Sequence, residues 1–175
     1  MQTRACETSQ LDFTSFYQQT APRIYSYLLR LCRKQDLAEE LLQETFLAIY
    51  KKLHTFDSQQ ASAKTWAFAI ATNKFRDQQR KHWEQEINSE GMELQACLKP
   101  NPETLASLNQ DAQRLRMAIL ALPPKLRATL LLVRFEGLKY REAAEVLGVS
   151  LGTVRMQLHR SLAILKKKLA EAEDE

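Results

Sequence analysis

Glycine and proline are scarce in this 175-residue chain, at four and five. Few windows alternate apolar with polar residues. Turn-rich sheet architectures are therefore disfavoured, and helices are expected. Cysteine is also rare. Cys6, Cys32 and Cys97 are isolated, and no Cys-x-x-Cys pair occurs. The odd count argues against a disulfide framework and for a reduced, intracellular protein. No apolar run approaches the roughly 18 residues of a membrane span. The opening MQTRACETSQ lacks the apolar core of a signal peptide. A cytoplasmic location is the expectation. Catalytic equipment is missing too: no carboxylate pair, Cys/His pair, metal-spaced ligand set or phosphate loop stands out. His159 has no second ligand three or four residues away. No enzyme activity, metal, cofactor or small-molecule substrate is expected.

What the chain does have is charge in blocks. Residues 1–83 hold 12 Lys/Arg against 8 Asp/Glu, residues 84–110 hold 1 against 5, and residues 111–170 hold 12 against 4. Two basic blocks flank an acidic connector. Such blocks suit an anionic partner, nucleic acid above all, although a solvated basic surface would give the same count.

Apolar periodicity divides the chain into two all-α units. Phe13, Phe16, Tyr17, Ile24, Tyr27, Leu28 and Leu31 recur at helical spacing, with Pro22 expected to kink or divide the segment. Asp36 can cap a second helix running to about Leu53. A third runs from about Ser62 to Trp83. These make a bundle over 10–83. Residues 84–103 contain Gly91, Pro100, Pro102 and five glutamates, and read as an acidic flexible linker. A second unit over 104–170 comprises helices at about Glu103–Leu122, Lys125–Phe135, Tyr140–Leu147 and Leu151–Leu169.

The sharpest signal is LKYREAAEVLGVSLGTVRMQLHRSLAILKKKL. Ala143, Ala144 and Leu147 form a small packing face. Gly148 can take the left-handed conformation that ends a helix, Val149 can plug the turn, and Ser150 is a preferred N-cap. Val154, Leu158, Leu162 and Leu165 are expected to face inward. Ser150, Gly152, Thr153, Arg155, Met156, His159 and Arg160 then line the outer side near the helix start, where a recognition helix meets base edges. Lys139, Arg141, Arg160, Lys166 and Lys167 are placed for phosphates. The joint reads as a helix-turn-helix in duplex DNA.

The first unit has its own cluster, KTWAFAIATNKFRDQQRKHW. Lys64, Thr65, Trp66, Asn73, Lys74, Arg76, Asp77 and Arg80 share one helix, mixing aromatic, amide and basic groups suited to unpaired bases and phosphates. Trp66 reads more readily as core than as a stacking platform. Asp77 can pair with Lys74, Arg80 or Lys81. The segment LAEELLQETFLAIYKKL suits either a protein partner or an ordinary core helix.

In this order the segments resemble the extracytoplasmic function (ECF) sigma factors of bacteria, from about Asp12 to Leu169. FYQQTAPRIYSYLLRL, LAEELLQETFLAIYKKLHTF and TWAFAIATNKFRDQQR look like sigma region two; LPPKLRATLLLVRFEGLKYREAAEVLGVSLGTVRMQLHRSLAILKKKL looks like region four. The resemblance implies an alternative sigma factor that directs promoter-specific transcription initiation. Glu40, Leu41, Gln43, Glu44 and Phe46 would bind the clamp helices of the RNA polymerase core. The loop from His54 and the helix through Arg80 would melt and read the minus-ten element. The helix-turn-helix, with Arg141, would read the minus-thirty-five element, and the acidic linker would thread the polymerase channels. An anti-sigma factor, in many relatives anchored at the inner membrane face, would hold such a factor inactive. This chain has Ala67 and Ala69 where many relatives carry bulkier or basic residues, and Glu40 where Asp is more usual. Three other readings compete: a stand-alone helix-turn-helix regulator with a sensing bundle, an enzyme, and a pure interaction protein.

Overall fold

A computed structural model describes residues 12–88 and 110–171. Among these residues all regular structure is helical: α1 Phe13–Cys32, α2 Gln35–Lys52, a 3-10 turn Leu53–Thr55, α3 Ala63–Asn88, α4 Gln110–Leu120, α5 Pro124–Leu130 continued by a π-helical turn Leu131–Phe135, α6 Tyr140–Leu147, and α7 Leu151–Glu171. None of the described helices is long and apolar enough to cross a membrane. The acidic connector, Cys6 and Cys97 lie outside the described residues.

The helix boundaries follow from local chemistry. Asp12 starts α1 by accepting from Ser15 N at 2.9 Å. The helix then runs unbroken through Pro22, so the expected division there is not seen. Proline costs this helix one backbone bond, and burial of Thr20, Ala21, Ile24, Tyr27, Leu28 and Leu31 offsets the loss. The expected cap at Asp36 is also corrected. Extended Lys34 precedes α2 without a side-chain cap, and Asp36 sits inside the first turn. There its charge favours the positive end of the helix dipole. Ser62 caps α3 through Thr65 N at 3.1 Å.

The fully buried side chains Ile24, Leu28, Leu41 and Ile49 belong to the first unit; Leu130, Leu131, Leu132, Val146 and Val154 belong to the second. Burying each contributes roughly 1.5–3 kcal/mol. Tyr27 is also sealed. Thr72 Oγ1 donates to Phe68 O at 2.7 Å, which uses its single proton. The Tyr27 hydroxyl must therefore donate across the 2.9 Å contact to Thr72.

The inner stripe of α7 is Val154, Leu158, Ser161 and Leu165, not the expected series with Leu162. Leu162 is 40% exposed. At about 3.6 residues per turn, spacings of four, three and four hold one face, whereas position 162 rotates off it. Ser161 tolerates the buried place because its hydroxyl lies 3.0 Å from Leu126 O and 2.7 Å from Gln157 O.

The two units pack on each other as one continuous apolar core. α6 lies against α3, and α5 touches α1. Buried Arg127 on α5 donates to Arg30 O at 3.2 Å, Leu31 O at 2.9 Å and Leu122 O at 2.9 Å. The first two acceptors are carbonyls at the C-terminal end of α1, where the helix dipole favours a cation. The Arg30 guanidinium in turn lies 4.9 Å from the Phe135 ring centroid.

Candidate nucleic-acid interface

The helix-turn-helix is built at α6 and α7. Lys139 enters extended, and its N–H donates to Glu142 Oε2 at 2.6 Å. Gly148 ends α6 at φ 60°, a left-handed conformation that side-chain-bearing residues rarely adopt. Val149 N then reaches back to Ala144 O at 3.1 Å, which closes the turn. Ser150 Oγ accepts from Thr153 N at 3.1 Å and starts α7.

That geometry brings Gly152, Arg155, Met156, His159 and Arg160 onto one exposed face, at spacings of three, four, seven and eight from Gly152. Ser150 and Arg141 are exposed beside it, and Thr153 is half-buried. Lys139, Lys166 and Lys167 are exposed as well. Gly152 answers to nothing in the fold, since an added Cβ would meet only Ser150 Oγ, at 3.8 Å.

The cluster on α3 is divided in its surroundings. Asn73, Asp77 and Arg80 are exposed, and Arg80 pairs with Asp77 at 3.3 Å. Lys74 pairs instead with Glu44 on α2, at 3.0 Å. A groove of about 400 Å³ between α2 and α3 is lined by Ala48, Lys52, Ile70, Asn73, Lys74, Arg76 and Asp77. Thr65 is buried at the helix start and contributes to capping, its hydroxyl 2.8 Å from Ser62 Oγ. Trp66 is half-buried with its ring 5.0 Å from that of Phe56 in the preceding loop.

Two cations of the α3 cluster reach the second unit. Lys64 Nζ donates to Glu136 O, and Arg76 Nη2 donates to Leu147 O at 2.8 Å. Desolvation first, then nearby Arg23, lowers the Lys64 ammonium below the usual lysine range, opposed by Glu136 and Glu142.

On α2 the residues anticipated for a protein partner also separate. Glu40 and Gln43 are exposed and Glu44 is half-buried, but Leu41 and Phe46 are buried in the core. The exposed apolar places belong to Leu47 and Tyr50, at 55% and 63%. Neither stood out in the sequence, although positions 40, 43, 47 and 50 keep helical spacing on one face. Tyr50 packs edge-on against Phe13 at 5.2 Å, and Tyr17 against Phe46 at 4.6 Å.

Cys32, half-buried, donates its thiol to Leu28 O at 2.8 Å. Burial pushes that thiol up to about 12, so it stays protonated near neutral pH.

Residues 16–85 match the sigma-70 region 2 family, and residues 112–165 match sigma-70, region 4. The chain is 35% identical over 159 residues to the ECF RNA polymerase sigma factor SigE of Mycolicibacterium smegmatis, covering 90% of this chain and 61% of that relative. It is 30% identical over 158 residues to the ECF RNA polymerase sigma factor RpoE of Cereibacter sphaeroides, covering 90% of this chain and 86% of the relative. A solved structure of the sigma factor RpoE from Bartonella quintana, in complex with the anti-sigma factor NepR, superposes with a TM-score of 0.78 at 26% identity. The match covers 91% of this chain and 97% of that one. With a region 2 and a region 4 in order and relatives matched along most of its length, the chain belongs to the ECF RNA polymerase sigma factors.

Proposed function

We propose that this chain binds the RNA polymerase core and directs promoter-specific initiation, using one reader for each promoter element. The observation that carries the reading is the pair of outward helix faces, Asn73–Arg80 on α3 and Gly152–Arg160 on α7, joined in one chain of this family. The units are 10–83 and 104–170, with 84–103 as the acidic connector that threads the polymerase channels. Glu40, Gln43 and Glu44, with Leu47 and Tyr50, form the face for the core. Leu41 and Phe46 support that face from beneath.

α7 enters the major groove at the minus-thirty-five element. Base contacts from Arg155, Met156, His159 and Arg160 each contribute roughly 1–3 kcal/mol of discrimination. Arg141, Lys139 and Lys166 hold phosphates, which makes binding strongly salt-dependent. At the minus-ten element the loop from His54 and the α3 face capture unpaired bases. Unstacking costs a few kcal/mol per flipped base, offset by pocket and stacking contacts. On the polymerase the two readers are fixed at one separation and act together. No step requires catalysis by this chain. The protein works in the cytoplasm, and an anti-sigma factor withholds it from polymerase. The NepR complex of the Bartonella quintana relative supports such a partner.

Gel shift on promoter fragments tests the reading. The free chain should bind duplex weakly and with little sequence preference, and the complex with core should bind selectively. Tight, sequence-selective duplex binding without polymerase would favour a stand-alone regulator instead.

A further inference from the structure

We propose that Arg33 and Arg127 together form a binding site for a small tetrahedral oxyanion of the phosphate class, at the C-terminal end of α1. Neither arginine belongs to a promoter reader or to the face proposed for polymerase. Arg127 is buried, and the carbonyls of Arg30, Leu31 and Leu122 accept from its two terminal nitrogens. A guanidinium carries five N–H donors, so three acceptors leave donors over. One of these is Nε, which is closed to solvent and meets no acceptor among the described residues. Half-buried Arg33 repeats the pattern. Its Nε is equally enclosed and equally without an acceptor among the described residues.

The two guanidinia also stand close enough to repel. Burial first, then the charge of Arg33, lowers that of Arg127; burial alone lowers that of Arg33. No carboxylate opposes either shift, whereas Glu136 does so for Arg30 on the same helix. Cys32 alone opposes the shift of Arg127, and its thiol stays protonated near neutral pH. Two desolvated cations thus lack a counter-charge among the described residues, and each carries an unmet buried donor. Both conditions are costly. An oxyanion relieves both at once, since it brings charge and presents oxygens to the planar guanidinium fork. Water would satisfy the donors and leave the charge. The backbone points the same way. Arg33 is the one non-glycine residue with positive φ among the described residues, at 65°. Glycine would hold that turn with less strain. A cation is favoured at a helix C-terminus, but Arg127 already holds the terminal carbonyls there. Stability of the fold therefore accounts for neither the strained conformation nor the second charge, and an anion held between them accounts for both.

Arg33→Gly separates anion binding from folding, because the two should move in opposite directions. The full-length parent and variant are titrated with inorganic phosphate by isothermal titration calorimetry and by thermal melting, with ionic strength held constant by sodium chloride. The parent should bind one phosphate per chain, and its melting temperature should rise with phosphate and then saturate. Arg33→Gly should melt above the parent in phosphate-free buffer, since glycine relieves both the backbone and the like charge. It should also bind phosphate about tenfold more weakly or worse, as expected for loss of a charge-assisted bond. Arg33→Lys keeps the charge without the fork and should fall between the two in affinity. A parent that binds no phosphate would overturn the site, as would Arg33→Gly binding as tightly as the parent. A melting temperature that climbs equally in both chains without saturating is a general salt effect and would overturn it too.

Discussion

Replacing Arg127 by methionine asks whether a buried charge holds the two units together or merely survives between them. The side chain is 2% exposed and has no carboxylate among its hydrogen-bond acceptors, which are the carbonyls of Arg30, Leu31 and Leu122. Burial, with Arg33 nearby, lowers its guanidinium to about 10. At about 1.36 kcal/mol per pKa unit, that is a cost of roughly 3 kcal/mol for keeping the charge there. Against it stand three charge-assisted bonds, each contributing about 1.5–3 kcal/mol. The bonds win by roughly 1.5–6 kcal/mol, and methionine, of similar length, would forfeit them while leaving three acceptors unmet. Arg127→Met should therefore lower the urea midpoint, followed by far-UV circular dichroism, by an amount equivalent to about 1.5–6 kcal/mol. Arg127→Lys, a single point donor that cannot span all three acceptors, should fall between. Buried charges elsewhere can be replaced by apolar residues at no loss. A methionine variant as stable as the parent would refute the bookkeeping and reduce Arg127 to a tolerated burial.

Three further outcomes are expected. Gly152→Ala should raise thermal stability by about 0.5–1 kcal/mol, since glycine costs a helix that much and nothing in the fold needs it. The same variant should weaken minus-thirty-five duplex binding by polymerase if, as proposed, the start of α7 faces DNA; unchanged DNA binding would place Gly152 outside the interface. Arg155→Ala should cost about 1–3 kcal/mol of discrimination at one minus-thirty-five base pair, scored on a promoter library. An equal loss on every variant would make it a phosphate contact. Cys32, with its thiol raised to about 12, should alkylate at pH 8 about a thousandfold more slowly than in urea, by peptide-mapping mass spectrometry. The stability linked to this thiol is present below about pH 8.5 and lost as pH climbs toward 12; equal labelling rates in the folded and unfolded chain would contradict its burial.

Local features were legible in the residues alone. Gly148 and Ser150 specify the turn of the helix-turn-helix because a left-handed stop and an N-cap act within a few residues. The outward face of α7 follows from the same register. What depended on distant partners was not legible. The register gives Ser161 the inner place on α7, but what makes a buried serine tolerable there is its pair of carbonyl acceptors, one of them on α5. Leu41 and Phe46 point inward while Leu47 and Tyr50 point out, a difference of phase that a motif match does not resolve. The engagement of Lys64 and Arg76 by Glu136 and Leu147 joins residues more than seventy positions apart, and no periodicity reports it.

Promoter reading at two points on behalf of polymerase is measured most directly by run-off transcription with purified core polymerase on a promoter library randomised at both elements. The expected result is initiation that depends on this chain and selects sequence at the minus-ten and minus-thirty-five positions, with selection relaxed at one minus-thirty-five base pair on Arg155→Ala. Transcripts that do not depend on the chain, or that show no sequence selection at either position, would contradict it.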